Sequence, residues 1–524
     1  MAKDPTQLEI VEVKQPEALL SPRSRNLIII ASLLALFLGA LDALVMSAAM
    51  PTIVADLGGL HLYSWVYSAY LLARAVSLPI FGKLADIFTS RRLYIISICV
   101  FLLGSILAGL AQNMTQLILS RVLQGVGAGG NFALVYIVLA DISSPEKRGK
   151  MLSLGSFIWG LASVLGPTFG GFVVTYFSWR WIFFVNVPLG AFSLIGIALY
   201  LIEVREKKKE ATIDYWGAVT LSTAILGLLT VFLLAGRSYD WISPQISGLI
   251  LISIAAGIAF YYAEKRAREP ILSLDFFGRR GFSIGNAAAF LASFTIFSLF
   301  AYSPLFIQGA LGKTPLQMSV AMLSMSLGWS VGALVCGQMV NRIGQKPSTI
   351  FGSLCLAIGG AVLVTFSTAT TLTACSIVLG LVGVGMGFIS MATLLVVQDS
   401  LDISDLGVAT SSHQFARTLG GTIGVGISGS FVTMTLSNVM ELLMTTDLNS
   451  LPPSLSVQIN QSIENIFRPE VQALLAPEVQ QAMQAAVARG VLTVFWISLI
   501  ASLLCLVFSA ILPARKGLSS KKNG

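Results

Sequence analysis

The sequence predicts an all-α polytopic membrane protein with fourteen transmembrane helices. Three observations predict it. Of the 524 residues, 55% are hydrophobic and only 11% are charged, against about 25% charged in soluble domains. Surface this apolar needs a lipid solvent. Apolar runs of roughly 20 residues, the length that crosses a bilayer, recur along the whole chain. Basic residues collect in alternate gaps between those runs.

The runs lie near residues 27–49, 63–84, 92–112, 115–140, 151–176, 181–203, 215–235, 245–263, 282–308, 316–340, 348–368, 372–397, 411–436 and 490–512. The even-numbered gaps carry Lys83, Arg91 and Arg92, then Lys147, Arg148 and Lys150, then Arg205 and Lys207 to Lys209. Lys265, Arg266, Arg268, Arg279 and Arg280 follow, then Arg342 and Lys346. The odd gaps hold little beyond His61, Arg180, Arg237 and Lys313, with Arg468 and Arg489 in the last. Cytoplasmic loops are enriched in Lys and Arg, so both termini are expected in the cytoplasm. The gap after segment twelve is the exception, with Asp399, Asp402 and Asp405 and no base before Arg417.

Gly82-Lys83-Leu84-Ala85-Asp86 with Arg91-Arg92 follows segment two. Gly337-Gln338-Met339-Val340-Asn341-Arg342 with Gly344 and Lys346 follows segment ten. Matching loops indicate a duplicated bundle, with segments seven and eight as an inserted hairpin. The expected divisions are a cytoplasmic tail (1–26), a six-helix bundle (27–203), the hairpin with its flanking loops (204–281), a second six-helix bundle (282–512) and a cytoplasmic tail (513–524). Residues 437–489, with Pro452-Pro453 and two helically periodic stretches at 455–467 and 470–488, are read as an external loop inside the second bundle. It is either a solvated decoration or a cap that handles substrate. Residues 1–26 are polar, and no cleavage site closes the first apolar run, so a cleavable signal peptide is not expected.

Several functions are excluded. The net charge of +8 is spread in short clusters, not in the stripe a nucleic acid needs. The five cysteines sit singly in apolar runs, and there are only two histidines, so neither disulfides nor a metal centre is expected. The glycine run Gln124 to Gly130 resembles a phosphate loop but lies within an apolar helix, where close packing is the better reading. Gly312-Lys313-Thr314 lacks the earlier glycine of a P-loop, since position 307 is Ile307. Gly281 to Gly285 matches a nucleophile elbow with no histidine nearby in sequence. The chain is therefore expected not to be an enzyme, to hold no cofactor, and to draw energy from a gradient with the proton as coupling ion.

Charges inside membrane segments are expensive and mark function. Asp42, Arg74 and Arg121 come out about 12, 16 and 9 Å below the outer surface at 1.5 Å per residue. A carboxylate with a movable guanidinium partner can exchange that partner for a proton; the alternative is a static ion pair that fixes packing. Gly82, Asp86 and Arg91, with Asp141 on the same side, read as an electrostatic latch at the cytoplasmic gate, Asp86 capping a facing helix or pairing with a base. Simple positive-inside topology would also place Arg92 there. Gly166-Pro167 with Gly170-Gly171 in segment five permits close approach and a bend that shapes or seals a cavity, or else ordinary packing. Phe294, Phe297 and Trp329, among other aromatics of segments nine and ten, are candidates to line a lipophilic pocket.

These motifs resemble the major facilitator superfamily. Gly82 to Arg92 is similar to its loop signature. Arg121-Val122-Leu123-Gln124-Gly125 is similar to its fourth-helix motif, and Gly166 to Gly171 to the antiporter signature of its exporters. Leu41-Asp42 with Ala49-Met50-Pro51, Trp179 to Gly190, and Arg417 to Gly424 resemble the fourteen-helix drug:proton antiporters of the EmrB/QacA type. The resemblance covers residues 27 to 512 apart from 437–489. It implies the major facilitator fold, alternating access, proton coupling at Asp42 and Arg121, and a cytoplasmic gate at Asp86 and Arg91. It also implies a multi-pass protein of a bacterial inner membrane that exports small hydrophobic or amphiphilic compounds, with a monomer as the expected assembly. Ile87 and Thr89 depart from the loop motif, where arginine and glycine are usual, and Ala162 stands where the family often has glycine. Segments nine to twelve carry no acid in their apolar centres, against a strictly cationic specificity. Arg74 is outside the family motifs and either favours an anionic or zwitterionic substrate or holds Asp42. A lipid or lipid-precursor exporter of the same fold, and a non-transporting receptor or scaffold, stay open as alternatives.

Overall fold

The computed structural model describes residues 21–57, 62–203, 214–235, 239–267, 270–446 and 477–513. They form long helices with one isolated bridge, Ala235 to Tyr239. In chain order these are α1 (Pro22–Leu57), α2 (Tyr63–Ile87), α3 (Ser90–Gly109), α4 (Met114–Asp141), α5 (Pro145–Tyr176) and α6 (Trp181–Tyr200), the last a short turn at Trp181–Phe184 continued by Asn186–Tyr200. Next come α7 (Tyr215–Leu234), α8 (Pro244–Arg266), α9 (Arg280–Leu305), α10 (Pro315–Ile343), α11 (Gln345–Leu363), α12 (Leu372–Asp399), α13 (Leu406–Thr446) and α14 (Pro477–Ile511).

Local chemistry sets several of the boundaries. Asn113 accepts from the Gln116 N–H to cap α4, and Asp214 accepts from the Gly217 N–H to cap α7. Thr314 and Gln317 form a capping box with Pro315 at the first turn of α10. Gly344, at φ +98°, turns the chain from α10 straight into α11 in a conformation that a side chain would oppose. Helices outrun the expected segments: α1 continues to Leu57 and α5 starts at Pro145. The expected external loop is also narrower than 437–489, because α13 runs on to Thr446 and α14 starts at Pro477. The rest of that loop, both terminal tails up to residue 20 and from 514, and much of the link after α6 lie outside the described residues.

Among the described residues, eleven helices are long and apolar enough to cross a membrane. Helices α2, α5 and α13 are not among them. They carry Arg74, Lys83 and Asp86, then Lys147, Arg148 and Lys150, then Arg417, and they face other helices across the middle of the molecule.

The pairing of helices repeats. In the first half α2 packs on α4, α3 on α4, α1 on α5 and α6, and α3 on α6. In the second half α10 packs on α12, α11 on α12, α9 on α13 and α14, and α11 on α14. The second set is the first shifted by eight helices. The halves meet through α5 against α10 and α2 against α13, which the same shift exchanges. Helices α7 and α8 run antiparallel, with Gly227 on Ser253 and the Ser253 hydroxyl donating to the Ala224 carbonyl. Of the two, α7 packs against α2 and α13.

Small residues make these approaches possible. The glycine run in α4 is a packing surface: a Cβ on Gly125 or Gly129 would meet the α2 backbone at Tyr70 or Arg74, and one on Gly127 would meet α3 at Phe101. Between the halves, Gly149 lies on Gly337 and Gly160 on Ser330. One apolar core joins the halves at the end where the termini lie, uniting Phe132, Tyr136 and Leu139 with Cys336, Phe388 and Leu395. At the opposite end, the core of the first half (Val45, Met50, Val66, Phe183) contains no residue of the second. The halves are thus closed together at the terminus-bearing end.

Gly149→Leu should pry that end open, since its Cβ already meets the Gly337 carbonyl at 2.9 Å. In a Cys99→Ser background, maleimide labelling of buried Cys336 should rise severalfold while Cys505 stays protected. Unchanged Cys336 labelling would show that the closure does not depend on this contact.

Candidate functional site

Asp42 of α1 and Arg121 of α4 meet in the interior of the first half, both side chains fully buried. The Arg121 Nη1 donates to Asp42 Oδ2 at 2.5 Å and to Gln124 Oε1 at 2.7 Å. Gln124 Nε2 donates to Asp42 Oδ1 at 2.9 Å, and Asn186 Nδ2 reaches the same oxygen at 3.3 Å. Both amides also donate to the Ser105 hydroxyl, which donates in turn to the Phe183 carbonyl. The guanidinium lies 4.1 Å from the centre of the Tyr70 ring, whose hydroxyl donates to the Gly39 carbonyl. A carboxylate away from water therefore has one cation and two amides around it, all from α1, α3, α4 and α6. The helical spacing of Arg121 and Gln124 puts both on one face of α4. Two amides that hold both Asp42 and Ser105 give this network an alternative arrangement when the carboxylate changes charge.

Arg74 is not part of this pair. It lies on α2 against the rings of Phe132 (4.3 Å) and Trp159 (5.2 Å), and no carboxylate pairs with it among the described residues. The reading that Arg74 holds Asp42 is therefore corrected: equal depth in the membrane does not fix which way a side chain points around its helix, and Arg121 occupies that place. Gly166 of α5 packs on Leu44 of α1, two residues from Asp42, while Gly171 has open space where a Cβ would stand. Gly170 is buried, and α5 runs unbroken through Pro167.

At the terminus-bearing end, Asp86 is buried and caps α13: Oδ1 accepts from the Gly407 N–H at 2.8 Å and Oδ2 from the Val408 N–H at 3.0 Å. The positive end of the α13 dipole favours that charge. Gly82 packs on Gly407 and Ser411 of the same helix. Arg148 pairs with Asp399 at 3.5 Å, and Arg279 with Asp402 at 3.4 Å. The acidic loop that broke the basic pattern is thus matched by bases from α5 and the start of α9. The Arg91 guanidinium donates to the Ala198 carbonyl and ties α3 to α6 within the first half, and among the described residues it makes no bond across the gate. Asp141, at the end of α4, is half-buried at the same end.

On the second half, Phe297 meets Trp329 edge-on and Phe300 meets it at a tilt, at 6.2 and 6.4 Å between ring centres. Phe294 is buried where Gly424 of α13 meets its backbone. Arg417 of α13 lies 5.4 Å from the Trp329 ring and donates to Gln414. Sequence reasoning passed over Ser105 and quoted Gln124 and Asn186 only within motifs, because neutral amides and hydroxyls carry no intramembrane cost as visible as a charge. It quoted Arg417 only as part of a signature, although a base within an apolar segment is the same signal that singled out Arg74.

At the opposite end, Asp56 accepts from Trp179 Nε1 (3.0 Å) and Arg180 Nη1 (2.8 Å), clamping α1 to the loop before α6. Those two hydrogen bonds, Trp179 first, hold its carboxyl below the usual 3.8 despite some desolvation.

Two half-bundles repeating one pairing pattern, with a buried ion pair in one and a capped gate between them, define a polytopic solute transporter, not an enzyme. The chain belongs to the Major Facilitator Superfamily, whose family description matches residues 32–425. It is 34% identical over 482 residues to the multidrug transporter protein MdtP of Bacillus subtilis, covering 91% of this chain and 89% of that one. It is 33% identical to multidrug resistance protein 3 of the same organism (79% and 81% covered) and 31% identical to the efflux pump FUS6 of Gibberella moniliformis (79% and 75%). Its fold matches the human organic anion transporter MFSD10 (TM-score 0.59, 14% identity, 92% and 100% covered) and the proton:xylose symporter XylE (0.59, 16%, 94% and 97%).

Two outcomes follow. Asp42→Asn leaves the Arg121 charge buried and uncompensated, which costs about 3–5 kcal/mol; Asp42→Asn with Arg121→Gln should recover most of that loss in thermal denaturation. No recovery would mean the pair does not act as a unit. The Asp56 clamp needs the carboxylate, and its folded-state pKa is lowered, so its contribution is complete at neutral pH. It is lost only as pH falls through the lowered value. For a cysteine placed at Ala111, the ratio of its labelling rate in Asp56→Asn to that in the native protein, taken at each pH so that thiolate chemistry cancels, should exceed one and stay flat from pH 8 to 5.

Proposed function

We propose that this chain is a proton-coupled exporter of small hydrophobic or amphiphilic compounds that works by alternating access in a bacterial inner membrane. The carrying observation is the fully buried Asp42–Arg121 pair with its Gln124 and Asn186 bridges. In this reading fourteen helices span the membrane, α7 and α8 are inserted between two six-helix bundles, and both termini are cytoplasmic. The shift-by-eight pairing of helices supports that layout, and the basic loops support the orientation. The relatives named as multidrug and efflux proteins support the direction of transport.

The conformation described here then faces outward, closed at the cytoplasmic end by Asp86 on α13 and by Arg148–Asp399. A proton arriving from outside neutralises Asp42, and Arg121 loses its counter-charge. Gln124 and Asn186 reorient around the neutral acid, and α1 and α4 shift relative to each other. Since α4 packs against α2, whose end holds α13 through Asp86, the shift loosens the cytoplasmic contacts. Opening inward lets the proton leave and the substrate enter from the cytoplasm or inner leaflet.

In proteoliposomes with an imposed pH gradient, lipophilic substrates should drive proton movement, and Asp42→Asn should lower it at least about tenfold while substrate counterflow without a gradient persists. Undiminished proton-driven export by Asp42→Asn would overturn the assignment of the coupling residue. Flat responses to every compound would overturn the exporter reading.

A further inference from the structure

The exporter reading leaves the substrate's charge open, and two arginines that its mechanism does not use address it. Arg74 and Arg417 sit on α2 and α13, the pair of helices that joins the two halves. Asp86 meets Gly407 and Gly82 meets Ser411, so continuing that antiparallel register places residue 74 level with residues 417–419. The apolar cluster that unites Leu72 and Val76 with Phe415 and Leu419 confirms the level. The two guanidiniums therefore lie at one level of the α2–α13 junction, and Tyr136 of α4 packs edge-on against the Phe132 ring that Arg74 covers.

Aromatic rings complete the enclosure. Arg74 rests on Phe132 and Trp159 of the first half, and Arg417 on Trp329 of the second. The two tryptophans flank the crossing of α5 and α10, where Gly160 meets Ser330. Arg74 is 8% exposed. Neither arginine has a carboxylate partner among the described residues; the side-chain bond of Arg417 is to the neutral amide of Gln414. The unpartnered buried atoms on these residues are Arg74 Nε, Arg417 Nε, Trp159 Nε1, Trp329 Nε1 and Gln414 Nε2. Every one is a donor.

Two like charges in an apolar interior without counter-ions are costly, and unfilled donors add to the cost. A neutral lipophile leaves both costs standing. A lipophilic cation adds a third positive charge and finds the aromatic faces of Phe132, Trp159 and Trp329 already covered by guanidinium. An anionic group relieves all of them at once, because planar guanidinium forks match carboxylate, sulfonate and phosphate oxygens. We propose that the interface between the halves is a binding site for amphiphilic anions. Arg74 and Arg417 grip the acidic head from opposite halves, and the aromatic side chains hold the apolar body. An anion bridging α2 and α13 also adds a tie between the halves, so its binding favours the closed arrangement of that side.

The test rests on the exporter reading for its meaning but not for its measurement, since equilibrium binding needs no gradient. Calorimetric titrations of the purified full-length protein, with empty-micelle heats subtracted, would compare 8-anilinonaphthalene-1-sulfonate with its uncharged analogue N-phenyl-1-naphthylamine and with tetraphenylphosphonium. The sulfonate should bind at least about tenfold tighter than either. Arg74→Gln and Arg417→Gln should each weaken it about tenfold and leave the uncharged analogue unchanged. The double variant should fall short of the product of the two losses, as expected when both groups hold one head. Each Gln variant should also melt at or above the native temperature without ligand, and the sulfonate at a concentration near its native dissociation constant should raise the melting temperature of the native protein more than that of either variant. If a Gln variant does not fold, the Lys variant, which keeps charge but loses the planar fork, should still lose affinity severalfold. Equal or tighter binding of tetraphenylphosphonium, or sulfonate affinity unchanged by substitution of either arginine, would overturn the proposal. Anion binding retained in a protein that moves no protons would sink the exporter reading alone; proton-driven export without anion preference would sink this inference alone.

Discussion

A charge removed from water must be met by another charge or a full set of hydrogen bonds, and this protein handles that constraint differently in two places. Inside the first half, Asp42 is met by Arg121, Gln124 and Asn186, and Ser105 ties the two amides into one network. Between the halves, Arg74 and Arg417 are met by rings and a neutral amide. The first arrangement is balanced in charge without a ligand, although Arg121 Nη2 has no partner. The second is not. In the proposed exporter, the former would take the coupling proton within one half and the latter the cargo across both, with α2 and α4, which pack together, as the route between them.

The closure at one end follows from the same economy of charge. Asp86 reaches across to two backbone N–H groups of α13. A helix terminus offers a fixed partial charge and fixed directions, so the contact is made or lost as a unit. Glycines at Gly82, Gly149 and Gly337 let the backbones come near enough for it to form.

Much of this architecture was legible in the sequence, because the periodic features are composition along the chain: apolar runs, alternate basic gaps and the loop repeat of Gly82 to Arg92 in Gly337 to Arg342 each have a long helix or a helix junction in the fold. Asp42 and Arg121 were legible because an intramembrane charge is conspicuous. Their partners were not, since nothing in the spacing of Gln124, Ser105 and Asn186 along the chain says that α3, α4 and α6 converge. Of the two readings of Arg74, the one in which it holds Asp42 failed because depth along an axis constrains one coordinate and leaves rotation about it free. Helix ends were misplaced where polar residues continue a helix beyond the apolar run, as from Leu436 side of α13 to Thr446, because hydropathy reports solvent and not backbone conformation.

The length of α13 has a mechanical meaning. Its 41 residues measure about 62 Å at 1.5 Å each, roughly twice the hydrocarbon thickness of a bilayer. Asp86 holds it at its first turn, and α9 and α14 pack along it, so it tilts as one body with them. Pivoting a helix of that length by roughly 10° about the Asp86 end swings the other end by about 11 Å. In the proposed alternating-access cycle, a small change of tilt at the Asp86 end would thus be enlarged into a displacement the width of a helix on the opposite side of the molecule.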